Sequence, residues 1–297
     1  MRPLALSGPA WAGHLAMLLF SVLVAGSFAL GVLVANEISP MALNAVRFWI
    51  AAGIVGGIAF GTGAIKSGDF RAPWRYLILA VVFTFYFVLM FEGLKTAPSV
   101  SAAAVFTLTP ILSAIFGYVM LRQVTTSRMA LALGIGALGA IWVIFRADVS
   151  AILGFDVGRG EMIYFWGCVS HAAYTPLVRK LNRGETALSF TFGTLVAGAL
   201  ILTVLGLPEI IRTYWADLRP LVWVTILYVS VFASATTFTL LQFASLRLPS
   251  AKVMAYTYLT PSWVMVWDVA LGNPLPPAMV LLGIGLTIVA LLLLLRE

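Results

Sequence analysis

"PSVSAAAVFTLTP" (Pro98–Pro110) and "PSAKVMAYTYLTP" (Pro249–Pro261) are two stretches of one chain with the same length, the same opening Pro-Ser and the same closing Leu-Thr-Pro. Both are apolar enough for a membrane helix, yet both place a proline where a helix interior resists one. Pro110 and Pro261 each remove a backbone N–H and leave the carbonyl four residues earlier, Phe106 or Thr257, without its helical partner. In hydrocarbon that carbonyl has to be met by a neighbouring helix, a hydroxyl or water. The hydroxyls of Thr109 and Thr260 are candidates for that role. Two explanations stay open, a packing kink and the wall of a water-filled cavity.

One offset of 151 residues carries Pro98 onto Pro249, Pro110 onto Pro261, and Gly134 of "LGIGALG" onto Gly285 of "LGIGLTI". The chain is therefore expected to be a duplication, with residues 1–147 as a first five-helix repeat and 148–297 as a second. Hydrophobic residues make up 62% and charged residues 10% of the 297, against roughly 45–50% and 25% in soluble domains. That composition is of an integral membrane protein. The apolar runs suit helices of about 20 residues and lack the alternation of outer-membrane strands. Ten spans are expected, at roughly 12–35, 40–61, 73–92, 99–121, 128–146, 160–179, 187–207, 220–243, 250–271 and 277–295. The first is too long for a signal-peptide core and is expected to be retained. Because five is odd, the second repeat enters the membrane from the opposite side, so the fold class is an all-α membrane protein of two inverted five-helix repeats.

The charges agree with that threading. With the N-terminus in the cytoplasm, twelve basic residues fall on the cytoplasmic side and five on the other, with Arg47 inside a span. This is the positive-inside bias. It accounts for the net charge of +7 by topology and gives no reason to invoke nucleic acid as a partner. The loop holding Arg122 and Arg128 faces the cytoplasm, while its counterpart "GNPLPP" from Gly272 carries no basic residue and faces outward. Inverted repeats are a transporter signature, with the substrate site near the midplane between the copies.

Side-chain spacing locates candidates for that site. In the ninth span Lys252, Tyr256, Thr260, Trp263 and Trp267 share a stripe at helical period, with Lys252 snorkelling to the headgroups and Trp267 open to an aromatic-belt role. The matching stripe of the fourth span, which includes Ser101, Val105 and Thr109, is smaller and less polar. In the sixth span Tyr164, Cys168, His171 and Thr175 form one stripe and Trp166, Ser170 and Tyr174 another. His171 is taken as the one histidine inside a span; hydrogen bonding and proton carriage are its two possible roles. The third span offers Phe83, Tyr86, Phe87 and Met90, the eighth Tyr228, Phe232, Thr236 and Thr239. The candidate cavity residues are Tyr86, Thr109, Trp166, His171, Tyr174, Thr236, Tyr256, Tyr258, Thr260 and Trp263, with Pro110 and Pro261 as kinks around which helices rock. Arg47, in "LNAVRFWIAAG", is costly in a span unless paired. Asp268, Glu92 or Glu37 is the expected partner, in a structural salt bridge or outer gate rather than a substrate contact.

Other chemistries fail their context tests. "GIGALG" at Gly134 fits G-x-G-x-x-G but follows no strand, and small residues for close helix packing explain it. "GTGAIKS" from Gly61 lacks the glycine before the lysine that a phosphate loop needs. Cys168 is the single cysteine, so neither an intramolecular disulfide nor a cysteine metal cluster is expected. There is no metalloprotease motif and no serine triad signal. No cofactor, no metal and no enzymatic activity are expected.

The five-plus-five pattern, "AGSF" at Ala25, Arg47 in the second span and the paired Leu-Thr-Pro spans together resemble the EamA-type branch of the drug/metabolite transporter superfamily. Within that branch the chain is similar to the bacterial aromatic amino-acid exporters of the YddG type. That resemblance implies export of aromatic and other neutral amino acids across the bacterial inner membrane, by alternating access and with both termini cytoplasmic. The implied partners are the lipid bilayer and a small-molecule substrate. A single chain is the simplest assembly, and oligomeric state stays open. The alternatives are an exporter of other metabolites or drugs from the same superfamily and a non-saturating channel or scramblase-like pore.

Overall fold

A computed structural model describes residues 10–154, 156–274 and 277–295. Among these residues the chain is helical throughout, with no strand. The helices of the first half are α1 (Ala10–Val34), α2 (Pro40–Gly61), α3 (Trp74–Gly93), α4 (Ser99–Phe106), α5 (Thr109–Leu121), α6 (Ser127–Ile144) and the short α7 (Val149–Gly154). The second half holds α8 (Arg159–Leu181), α9 (Ala187–Leu205), the short α10 (Leu207–Arg212), α11 (Pro220–Ser230), α12 (Thr237–Ser245), α13 (Ser250–Ala255), α14 (Thr260–Ala270) and α15 (Ala278–Leu295).

Local chemistry sets several boundaries. Ser39 accepts from the Met41 N–H ahead of Pro40, which needs no N–H of its own. Thr126 and Thr186 cap α6 and α9 by accepting from Met129 and Ser189. Arg122 turns left-handed at φ 56° to end α5. The two prolines do what the sequence predicts: α4 and α5 are separated at Thr107 and Leu108, and α13 and α14 by a 3₁₀ turn over Tyr256–Leu259. The offset of 151 carries the first break onto Tyr258 and Leu259. A third irregularity, a π-turn over Val231–Thr236 between α11 and α12, has no proline and no sequence forecast.

Among the described residues eight helices are long and apolar enough to cross a membrane, counting Ser99–Leu121 and Pro220–Ser245 as single spans. Ten were expected. The two outside this set are α8, whose ends carry Arg159, Glu161, Arg179 and Lys180, and the interrupted α13–α14 pair. Both are packed into the bundle, α8 against α3 and α5, α13 against α5, and α14 against α1 and α4.

The packing repeats under the same offset. The counterparts α2 and α9 pack on each other, as do α6 and α15. The contact of α3 with α8 returns as that of α11 and α12 with α1, and α5 on α13 returns as α14 on α4. Glycines permit the closest approaches. A Cβ on Gly139 would stand 2.6 Å from the Gly283 carbonyl, and one on Gly136 would stand 2.3 Å from the Tyr258 ring. "GIGALG" is thus a packing surface for α15 and the 3₁₀ turn. Gly26 of "AGSF" is pressed by the Tyr228 side chain, 2.3 Å from where its Cβ would lie.

Candidate functional site

Aromatic side chains from α3, α4, α8 and α12 converge on the centre of the bundle. The third-span stripe of Phe83, Tyr86, Phe87 and Met90 is fully buried, as expected of residues on one helical face. Phe83 stacks on Tyr174 of α8 with centroids 4.1 Å apart, and Phe238 of α12 lies at the same distance from it. The His171 ring sits among Tyr86 at 4.3 Å, Phe106 at 5.2 Å and Phe83 at 5.3 Å. Pairs of this kind contribute about 0.5–1.5 kcal/mol each beyond area burial. The rings are in mutual contact.

Polar atoms thread the cluster sparsely. The Tyr86 and Tyr164 hydroxyls are 3.1 Å apart, and Gln242 Nε2 donates to the Tyr174 hydroxyl at 2.8 Å. His171 Nδ1, Gln242 Oε1, Thr175 Oγ1 and Thr260 Oγ1 are buried and find no protein partner. Unmet polar atoms in an apolar interior each carry a desolvation cost, and two of them, on His171 and Gln242, belong to side chains in contact with these rings.

The proline breaks adjoin this cluster. Thr109 Oγ1 donates at 2.7 Å to the Phe106 carbonyl, the group that Pro110 deprives of its helical partner. On the second repeat the orphan Thr257 carbonyl is met by the backbone N–H of Thr260; the Thr260 hydroxyl, the expected donor, is left over.

A second group lies between α1 and the α13–α14 break. Tyr256 bonds to Nδ1 of His14 at 3.1 Å, and Trp263 Nε1 donates to Ser21 Oγ at 3.2 Å. His14 lies within α1, so two histidines, not one, belong to spans. The other candidates are placed elsewhere. Trp166 is 57% exposed on the outside of α8, against Phe165, although Ser170 and Tyr174 of the same stripe both reach α3, at the Val82 carbonyl and the Phe83 ring. Tyr258 points between α6 and α15, its ring over Gly136. Thr236 closes on the π-turn, donating to the Val231 carbonyl at 2.9 Å.

Arg47 corrects the sequence expectation most directly. Glu37 pairs with Arg219, Glu92 with Lys95, and Asp268 accepts from Ser99 at 2.6 Å, so none of the three reaches Arg47. Its guanidinium instead enters the π-turn. Nη2 donates to the Ala233 carbonyl at 2.6 Å, Nε to Ser234 Oγ at 2.5 Å and Nη1 to Asn44 Oδ1 at 3.4 Å. The plane lies 3.7 Å over the Phe87 ring, one member of the central cluster. A π-turn frees carbonyls that an α-helix would use, which is why this arginine finds an acceptor there.

Sequence reasoning missed Gln242, His14, Ser21 and Phe238. Gln242 and Phe238 follow a π-turn, which shifts the helical phase of everything after it, so no stripe drawn at 3.6 residues collects them with Tyr228 and Phe232.

Comparison with known proteins agrees with this architecture. Over 264 residues the chain is 27% identical to the uncharacterized transporter YyaM of Bacillus subtilis (strain 168), covering 88% of this chain and 87% of that protein. Over 197 residues it is 31% identical to an S-adenosylmethionine/S-adenosylhomocysteine transporter of Chlamydia muridarum (strain MoPn / Nigg), covering 62% of this chain and 60% of that one. A solved crystal structure superimposes with a TM-score of 0.71 at 18% identity, over 96% of this chain and 95% of its own, which speaks to the fold alone. The profile of the EamA-like transporter family matches twice in succession, over residues 11–145 and 158–296, once for each half of the helical pattern, and the chain belongs to that family.

Proposed function

We propose that the chain is a secondary carrier that moves small solutes bearing a planar ring, together with an amino-acid end, across a bacterial inner membrane by alternating access. The observation that carries this is the buried ring cluster of Phe83, Tyr86 and Tyr174 beside unpartnered polar atoms on His171 and Gln242. A solute's ring takes the place of one ring in that stack, and its polar end meets the atoms that lack partners. The aromatic amino acids implied by the family resemblance and the S-adenosyl compounds named for the chlamydial relative share this chemistry, a flat ring joined to an α-amino acid. Ten spans as two inverted repeats are the threading that fits the recurrent packing and the twelve-to-five charge bias. Both termini then face the cytoplasm, and the halves rock about the breaks at Pro110 and Pro261. Tyr256 and Trp263 line the approach along α1.

Purified protein in liposomes tests the proposal directly. Uptake of phenylalanine, tyrosine, tryptophan, S-adenosylmethionine and S-adenosylhomocysteine should saturate for at least one member. Tyr86→Ala should raise its half-saturation several-fold. Flux that rises linearly with concentration for every solute would instead mark a channel or scramblase-like pore, and reporters fused after residue 297 that work only outside the cytoplasm would overturn the threading.

A further inference from the structure

We propose that Arg47 is the anchor for the substrate's carboxylate, so that the solutes carried are those with a free carboxylate beside the ring. This rests on the ring-solute reading above and narrows it to a charge class.

Three observations lead there. First, Arg47 is completely buried and belongs to no ion pair among the described residues. The buried carboxylates among the described residues go elsewhere, Glu185 to Arg75, Glu161 to Ser101 and Asp69 to Ser189, and the half-buried Asp268 goes to Ser99. A full positive charge inside a span without a counter-charge is costly, and an ionisable residue kept there is by default a candidate for function. Second, the protein does not use the whole guanidinium. A guanidinium has five N–H donors, and Arg47 makes three hydrogen bonds, all to neutral acceptors. One N–H on Nη1 and one on Nη2 are left over, the two atoms that a carboxylate grips as a pair. Third, the group borders the ring cluster. Its plane lies over Phe87, and Phe87 is 4.6 Å from Tyr86, 5.0 Å from Phe83 and 5.5 Å from Phe238, centroid to centroid. A ring held among these residues puts an amino-acid end within a side chain's length of Arg47.

A purely structural role is the competing explanation, since Arg47 fastens α2 to the π-turn through Ala233 and Ser234. That role needs donors but not a charge, and it predicts no dependence on what the substrate carries. The distinguishing experiment measures competition for uptake in liposomes by two matched pairs, phenylalanine against phenylalaninamide and S-adenosylhomocysteine against 5′-methylthioadenosine. In the wild-type protein the carboxylate-bearing member of the transported pair should compete about 10-fold or more better, as one charge-assisted bidentate contact would give. Arg47→Gln should bring the ratio to within about 2-fold, while Arg47→Lys, a point charge without the fork, should keep an intermediate ratio. Ser234→Ala, which removes an anchor of the π-turn and leaves the charge, should keep the full ratio. Wild-type protein that treats both members of the pair alike, or Arg47→Gln or Arg47→Lys protein that keeps the wild-type ratio, overturns the inference and leaves the carrier standing. Uptake of none of the four probes overturns the carrier reading itself.

Discussion

The hydroxyls of Thr109 and Thr257 lie 3.2 Å apart and join the two helices that proline breaks. They are not counterparts under the repeat: Thr257 matches Phe106, whose carbonyl Thr109 caps. One threonine thereby heals the break in its own helix and touches the break in the other, which places the two weak points of the bundle side by side at its centre. Broken helices are tolerated in a membrane where protein or water meets the freed groups, and here the protein meets them.

It follows that Thr109→Val should destabilise the protein by about 1 kcal/mol, near the range measured for side-chain hydrogen bonds in membrane helices. Pro110→Ala restores an N–H that can reach the Phe106 carbonyl, so the double variant should recover most of that loss. Thermal unfolding in detergent reads both, and a double variant no more stable than Thr109→Val would show that the hydroxyl is not the cap.

The glycines of "GIGALG" should separate sharply. Gly139→Ala drives a methyl toward the Gly283 carbonyl and should cost about 1–3 kcal/mol, as overpacking does. Gly134→Ala meets nothing within 4 Å and should be neutral or slightly stabilising. Equal effects in unfolding experiments would contradict the close contact of α6 and α15.

Acid should loosen the connection between α8 and α9. Arg75 bonds to Glu185 at 2.5 Å and to the Leu181 carbonyl at 2.8 Å, tying α3 to the loop that follows α8. Burial raises the Glu185 carboxyl, but hydrogen bonds from Arg75 and from backbone N–H groups outweigh it and hold it below its ordinary value of 4.5. A depressed carboxylate contributes stability that is present above the unfolded value and disappears as pH falls through the folded one. The unfolding temperature should therefore drop below about pH 4.5, and Glu185→Gln should be less stable at neutral pH with a flatter acid limb. An unchanged acid limb in that variant would remove the ion pair from the account.

Much of this architecture was legible in the residues, for identifiable reasons. Proline acts locally, so both breaks could be placed to within a few residues, and a duplication survives as a constant offset even where side chains have diverged. The buried stripe of α3 was legible because that helix is regular from Trp74 to Gly93. Arg47 was not, because its acceptor is a carbonyl released by the π-turn at Val231–Thr236, and no residue type announces such a turn. Trp166 was misplaced for a simpler reason. Both stripes of α8 reach α3, one through Tyr164 and His171 and the other through Ser170 and Tyr174, and helical spacing alone does not show that Trp166 lies beyond that contact.

His171 supports a last prediction, on energy coupling. A proton-coupled carrier needs an ionisable group that can load and release a proton in the path, and its usual neighbours are carboxylates or water. The His171 ring is walled by Tyr86, Phe106 and Phe83, and its Nδ1 atom has no protein partner. Glu92 and Asp268, near the ends of their spans, are engaged with Lys95 and Ser99, and Glu161, buried on the first turn of α8, with Ser101. An imidazole among rings suits a neutral hydrogen-bonding role toward substrate. Transport in liposomes should accordingly persist when the pH gradient is collapsed. His171→Gln, which keeps a donor and an acceptor, should retain most of the maximal rate with a few-fold higher half-saturation, whereas His171→Phe should lose binding. Accumulation driven by an imposed pH gradient and abolished in His171→Gln would make the histidine a proton carrier instead.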